Sequence, residues 1–568
     1  MTNPAETMHL ITGVSTADSA SNQWSVMVIG IRQVAKFVLA VCLLAFGPVV
    51  ASLADESSPS RPDVPWGMAR LQSLNRSVEM LQQLQGDMDF APLAAVVEKL
   101  DRIRQLPGFD AARPIVLLAY AGSGSIKKPE LVLSLPVSDA AQFVAACRGI
   151  QRITIEDVSA NRWRVRGAEK EFAAVAIDGQ LLISNQASLL AVPGNILPRL
   201  LESLTGFDFT VSLLPAGVPN DIRSRWLQLL AGRLDEKRAQ AEQATGDEGE
   251  RRRAILTFLR YYGDRWHDGI QRVDLGLKLE NGLTAELRCS AIPESRLAQD
   301  FSRLTLSTAT ARKPLRANAA AELQLAVDVP TPVRHLLGVI FKQLKDHVSR
   351  EVGPHLKMDD RAPASGVFDA VAATMAVGRL ESTLAFIPTV DHHFVFLAAT
   401  AIERSDRLAE SLSTVLPYAA QSDDIRAVDL NVLGEAAPVL HRIQPAKPKE
   451  EDRRIYGDNS ALYVGTTSDT FLFAVGGPDA EPLLKNLEAS PLTSPNLLTL
   501  RWQTRPWIEF VQTGDPKEKT AAQLAAAFPV ETPEDVLAAQ LRAEQDQLRL
   551  TVTLERGYLR LLGLLARN

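Results

Sequence analysis

The feature that most constrains this chain is a pattern of alternating apolar residues on either side of Asn281-Gly282. Val273, Leu275, Leu277 and Leu279 lead in, and Leu283, Ala285 and Leu287 lead out. A tight primed turn needs positive φ at its centre, which Asn-Gly supplies, and alternation puts every second side chain on one face. Val273 to Cys289 is therefore read as a β-hairpin. The same unit returns 111 positions later without a gap. Leu384, Phe386, Pro388 and Val390 match the first strand, and Phe394 and Phe396 match the second. The following helix matches as well, Arg296-Leu297-Ala298 against Arg407-Leu408-Ala409, and upstream Pro219 matches Pro330.

Recurrence at a fixed spacing is the mark of a reused structural unit. A third copy is read at the end of the chain. There Leu548 to Leu554 is taken as a strand, Glu555-Arg556-Gly557 as the turn and Tyr558 to Leu564 as the return. A looser fourth spans Ile115 to Ala146, with the helix Ser138 to Cys147 at its end. A second hairpin type recurs at Phe172 to Ser184 and Leu462 to Val475. Met68 to Leu106 differs. Leu71, Leu74, Val78, Leu81 and Leu84 form one stripe at helical spacing, and Leu93, Val96, Val97, Leu100 and Ile103 a second.

These patterns give an α+β fold. It is read as two related lobes of antiparallel hairpins with amphipathic helices packed on one sheet face, built on an internal repeat. Residues 1–54 are an export signal, 55–106 a linker and helical hairpin, 107–315 the first lobe and 316–568 the second lobe with the repeated unit. The polar alternates Asp274, Lys278 and Glu280 are expected to face water.

The export reading rests on Phe37 to Val50, an apolar run preceded by Arg32 and Lys36 and followed by Ser52-Leu53-Ala54. Positive charge, a short apolar core and small residues before a cleavage point are the order of a signal peptide. A membrane-spanning helix needs about 20 apolar residues, and this run is shorter and interrupted by Pro48. Cleavage is expected after Ala54, with Met27 as an alternative start that gives a leader of ordinary length. The protein then lies in the periplasm or outside the cell, and meets a membrane only if the leader is retained.

A net charge of −6, with 46% apolar and 23% charged residues, is that of a globular protein without the clustered cations that nucleic acid requires. Arg251-Arg252-Arg253 follows Asp247, Glu248 and Glu250 and reads as a solvated helix start. Past the leader only Cys147 and Cys289 remain, and both are expected to be buried free thiols, with a disulfide between them in an oxidising compartment as the alternative.

Asp391-His392-His393 resembles the signature triplet of the DHH phosphoesterases, which hold divalent metal. The earlier strand-end aspartates and the glycine-rich histidine motif of that family are missing, and the triplet falls at a hairpin turn. His347, Glu351 and His355 are spaced four apart, which would align them on one helix face, but Gly353-Pro354 interrupts that helix. Ala121 to Lys128 lacks phosphate-loop spacing and reads as a hairpin tip. Trp163, Trp226, Trp266, Trp502 and Trp507 are read as core, with a ligand groove as the alternative. No catalytic, cofactor-binding or metal residue is assigned.

The export signal, the repeated hairpin–helix units and the hairpin Phe172 to Ser184 together resemble the large uncharacterised exported proteins of planctomycete bacteria. That resemblance implies no activity, cofactor or catalytic residue. The expected function is therefore a non-enzymatic binding or scaffold protein whose partner is an unidentified protein or envelope component. The alternative is a metal-assisted hydrolase with residues assembled across the lobes.

Overall fold

The computed structural model describes residues 64–567 apart from 89–91, 123–124, 149–153, 167–170, 192–205, 245, 306–309, 313–318, 353–356, 435–437, 488–490, 494–495, 515–518 and 530–534. The leader lies outside the described residues. The chain enters at strand β1 (Gly67–Leu71), makes helices α1 (Leu74–Met88) and α2 (Pro92–Arg104), then the hairpin β2 (Ile115–Gly122) and β3 (Ser125–Pro136), and then α3 (Ala140–Arg148). A meander follows: β4 (Thr154–Ser159), β5 (Arg162–Arg166), β6 (Glu171–Ile177) and β7 (Gln180–Ser184), closed by a 3-10 turn at Ala187–Ala191.

The series strand, helix, helix, hairpin, helix then returns as β8 (Phe209–Leu213), α4 (Asn220–Gln243), α5 (Gly246–Gly269), β9 (Ile270–Leu279), β10 (Gly282–Ala291) and α6 (Arg296–Thr305). After the short β11 (Thr310–Arg312) come β12 (Ala321–Asp328), α7 (Thr331–Val352), the single turn α8 (Arg361–Ala364), α9 (Gly366–Val377), β13 (Arg379–Pro388), β14 (Phe394–Ala401) and α10 (Ser405–Ala419). A second meander holds β15 (Ile425–Asp429), β16 (Val439–Pro445), α11 (Glu450–Tyr456), β17 (Ala461–Thr466) and β18 (Thr470–Gly476), closed by α12 (Ala480–Leu487). Past β19 (Pro491–Thr493), the last series is β20 (Leu498–Gln503), α13 (Arg505–Gly514), α14 (Lys519–Ala527), β21 (Val536–Glu544), β22 (Gln547–Glu555) and α15 (Arg556–Arg567).

Twenty strands form one sheet, every ladder antiparallel. Their order is β4-β5-β6-β7-β3-β2-β1-β8-β9-β10-β22-β21-β20-β12-β13-β14-β18-β17-β16-β15. Read inward from either end, the order is the same: meander, hairpin, lone strand, lone strand, hairpin. Strands before residue 305 meet strands after residue 310 only at β10–β22 among the described residues. The fold is thus α+β with a wide antiparallel sheet. The segment 55–106 supplies the two expected helices and also β1, which sits between β2 and β8.

Three local expectations are corrected. Leu279 pairs with Leu283, whereas Pro388 pairs with Phe394, so the second turn is two residues longer. The spacing is then 109 on the first strand and 111 on the second, and Val390 lies in the turn, 95% exposed, not in the strand. The third copy is displaced. Leu548 to Leu554 is a strand, but its hairpin partner is β21, before it, and Tyr558 to Leu564 lies in helix α15. Tyr558 and Leu561 are one helical turn apart and both buried, a spacing that short alternation obscures. Asp274 is only 3% exposed and does not face open water.

Gly282 has φ of 137°, and a Cβ there would lie 2.1 Å from the Leu554 carbonyl oxygen on the neighbouring strand. That position accepts only glycine because β22 closes over it.

Helices cover the sheet unevenly. In the first wing, Leu74 of α1 and Phe143 and Val144 of α3 pack with Ile115, Leu135 and Ile183. Leu189 and Leu190 pack on the opposite face with Val116, Leu118 and Val132. The second wing repeats this. Leu412 and Leu416 of α10 meet Leu462, Val464 and Phe473, while Leu483 and Leu484 of α12 meet Leu397, Ala399, Leu472 and Ala474 on the other side. Helix cover on one face alone therefore holds for the middle of the sheet and not for its wings.

Candidate functional site

Opposite faces of the middle strands carry opposite chemistry, and register fixes which residues share a face. On the face bearing most helices, one row runs Phe473, Ala398, Leu384, Leu323, Leu500, Ala539, Val552, Ala285, Leu277, Phe209, Leu71 and Ile115. Each stands directly opposite the next across twelve neighbouring strands. Two residues along, a second row runs Leu325, Leu498, Leu541, Leu550, Leu287, Leu275, Val211, Ala69, Leu117, Leu133 and Ile183. Every member is apolar. Val552 is buried, Leu117 is exposed and all the others are half-buried. At about 4.8 Å per strand the longer row spans roughly 50 Å.

Helices pack beside this band. On one side α6 places Leu297 and Phe301 over Val273, Cys289 and Ala291. On the other, Ile508 of α13, Leu524 of α14 and Tyr558 and Leu561 of α15 pack on Leu537 and Leu554. Leu287 and Leu500 belong to those clusters, and Leu71, Ile115, Ile183 and Phe473 to the wing clusters under α1, α3 and α10, while the other row members belong to none of the core clusters. An aromatic wall stands at one margin. Trp507 stacks on Trp502 at 4.8 Å and on Phe394 at 4.6 Å, and its Nε1 donates to the Ala320 carbonyl at 3.2 Å.

The reverse face of the same strands is charged. Across it stand Ser212, Asp274, Arg288, Arg549 and Arg542, each opposite the next. Arg272 donates to Asp274 at 2.5 Å and to Ser212 at 2.9 Å. Arg288 donates to Glu286 at 2.7 Å, and Arg549 pairs with Glu544 at 3.2 Å and Glu286 at 3.6 Å. Arg542 donates to two neutral acceptors, Asn496 Oδ1 and Gln540 Oε1. Farther along, burial pushes the Glu322 carboxyl up against the opposing pull of the Gln324 amide and Arg501.

The residues singled out in the sequence do not converge on this region. His392 sits in the β13–β14 turn at φ of 60°, exposed, and Asp391 is exposed beside it. His393 Nδ1 lies 3.1 Å from the Arg454 carbonyl oxygen, a structural contact. His347 is on α7, the Glu351 side chain is not described, and His355 lies outside the described residues. No group of three potential ligands is close enough to hold a metal among the described residues. Cys147 and Cys289 are both free, Cys147 half-buried and Cys289 buried. Burial, with Asp274 adding to it, pushes the Cys289 thiol up to about 12, so it is not a nucleophile at neutral pH. Trp163 is buried in the core, Trp266 and Trp502 are half-buried against core clusters, Trp507 stacks on Trp502, and the Trp226 side chain is not described.

Sequence reasoning missed the arginine row. Its signal is present in Arg272-x-Asp274, Glu286-x-Arg288 and Arg542, Arg549, but the polar alternates of a single strand, Asp274, Lys278 and Glu280, read as solvated, and only long-range register sets the arginines opposite one another.

No family model and no curated protein matches the chain. Among solved structures, crystal form IV of TP0453 aligns at 8% identity over 41% of this chain and 81% of its own, with a TM-score of 0.21. Form III aligns at 9% identity over 42% and 83%, again at 0.21.

Proposed function

We propose that the chain is an exported, non-enzymatic binding protein of the periplasm or cell envelope, and that its ligand is an elongated aliphatic molecule, a fatty-acyl chain lying along the apolar band. The observation that carries this reading is the pair of unbroken apolar rows, whose members between the helix-covered ends stay half-buried across the middle of the sheet apart from the buried Val552 and the exposed Leu117. Apolar surface left partly open costs about 25 cal/mol per Å² relative to burial, and a contiguous patch of it on a folded protein marks a contact site. A linear hydrocarbon matches a floor that is long, narrow and without hydrogen-bonding groups. The leader Phe37 to Val50 with its Ser52-Leu53-Ala54 site supports export, with the mature chain starting at Asp55.

The recurrence belongs to the same reading. The series strand, helix, helix, hairpin, helix is one ancestral unit used four times, with the two meanders between successive pairs. Copies set side by side through antiparallel strands extend one apolar face, which a single unit could not supply at this length.

The test uses the mature protein. Solvent extraction followed by mass spectrometry should recover lipid, and a fluorescent fatty acid should bind saturably. Leu541→Glu and Leu275→Glu each put a charge in the second row and should weaken that binding at least tenfold while leaving a cooperative melt. A cooperatively folded wild-type protein that carries no lipid and shows no saturable binding removes this reading. N-terminal sequencing of the exported form checks the start at Asp55.

A further inference from the structure

On the reverse face of the sheet, we propose that Arg288, Arg549 and Arg542 form a binding site for a phosphoryl anion. These three residues stand directly opposite one another on three consecutive strands. Directly opposed side chains start roughly 5 Å apart, and like charges placed so are destabilising unless something neutralises them. The local carboxylates do not suffice. Asp274 is held by Arg272 and Ser212, Glu286 is shared by Arg288 and Arg549, Glu544 is taken by Arg549, and Arg542 has only amide acceptors. The Nε atoms of Arg288 and Arg549 are shielded from solvent without an acceptor in hydrogen-bond reach among the described residues, Arg549 Nε standing 3.6 Å from Glu286 Oε1. Both side chains nevertheless keep 24% and 29% of their surface open, so a ligand can reach them.

Planar guanidinium forks bind tetrahedral oxyanions through paired N–H···O contacts, and adjacent forks suit a group with several charged oxygens. A phosphoryl group would supply the missing negative charge and accept from the guanidinium N–H groups that remain open to solvent. Phosphate in solution and the headgroup of a phospholipid offer the same chemistry. The site lies on the face away from the apolar band, so it stands or falls without the acyl-chain reading.

The experiment measures the thermal midpoint of the mature protein as inorganic phosphate replaces chloride at constant ionic strength, which holds general screening fixed. A saturable rise is expected in the wild type and should be lost in Arg542→Gln. That variant should be at least as stable as wild type without phosphate, because it removes a like charge. Glu544→Gln, which strips away a competing carboxylate, should tighten phosphate binding severalfold. A second arm floats the protein with vesicles of phosphatidylcholine with and without phosphatidic acid. Capture that needs both phosphatidic acid and Arg542 assigns the lipid source, and a phosphate response without capture assigns the free anion. A wild type indifferent to phosphate in both arms overturns the proposal. So does an Arg542→Gln protein that is less stable without phosphate yet keeps the full phosphate response, which is the behaviour of a purely structural arginine.

Discussion

His441 on β16 has none of its surface exposed, and burial pushes its imidazole below the usual histidine range. The Asn431 backbone N–H approaches Nδ1 at 3.4 Å, which assigns the proton to Nε2, and Nε2 has no partner among the described residues. The folded protein therefore holds this ring neutral, while the unfolded chain protonates it near pH 6.5. Stability is unaffected above that value and falls as the pH drops from 6.5 towards the lower folded value, by at most one proton, about 1.4 kcal/mol per pH unit. Urea unfolding at pH 7.0, 6.0 and 5.0 should show this loss in the wild type and a flatter profile in His441→Gln. Identical profiles would show that the ring titrates normally. Nothing in the sequence marks this histidine, since a lone imidazole between Leu440 and Arg442 carries no signal of its depth. The turn at Gly282 was readable because Asn-Gly marks it locally, whereas the approach of β22 that excludes a Cβ there was not.

Helix α15 shows where element-level reading fails. Tyr558 to Leu564 follows a strand directly, and its dense leucines satisfy short alternation as well as a helical stripe. Tertiary packing decides between them. Tyr558, Leu559 and Leu561 are all under 7% exposed, and the Tyr558 hydroxyl meets Thr504 Oγ1 at 2.6 Å inside the core. Leu561→Ala should cost about 2–5 kcal/mol, the range for emptying a buried leucine site, read as a shift of the denaturant midpoint with unchanged slope. A surface change is usually within ±0.5 kcal/mol, so a loss below that would return Tyr558 to Leu564 to the exposed role of a hairpin return. The hairpins at Asn281-Gly282 and Asp178-Gly179 were legible because their turns name themselves, as were the stripes of α1 and α2, save that Leu71, read as the first residue of the α1 stripe, lies in β1. Strands β1, β12 and β20 were not. Their partners lie far along the chain, and no local residue records such a pairing. The apolar rows were half-legible: alternation gives each strand its face, but only long-range register aligns one leucine with the next.

At the scale of the whole molecule, the order of strands makes a prediction about independence. The part before residue 305 and the part after 321 each complete a ten-strand run that ends on β10 or β22. Nine residue pairs join those two strands. Around this ladder, α15 packs on α1 and β10, α6 reaches β21, and α5 packs along α7, where Lys342 pairs with Glu250 at 3.5 Å. Separating the parts would strip a full edge of backbone donors and acceptors from each, together with the apolar surface under α6 and α15. Open, flat edges next to apolar surface recruit other strands, so neither part should persist alone as a folded monomer. Chains 55–308 and 309–568, expressed together, should co-purify in equal amounts and melt as one unit near the intact protein, whereas each alone should aggregate. If either is monomeric, melts cooperatively and ignores the other, the central ladder is a weak contact between finished domains. The apolar rows would then be two separate surfaces, and the acyl chain would have to lie within one of them.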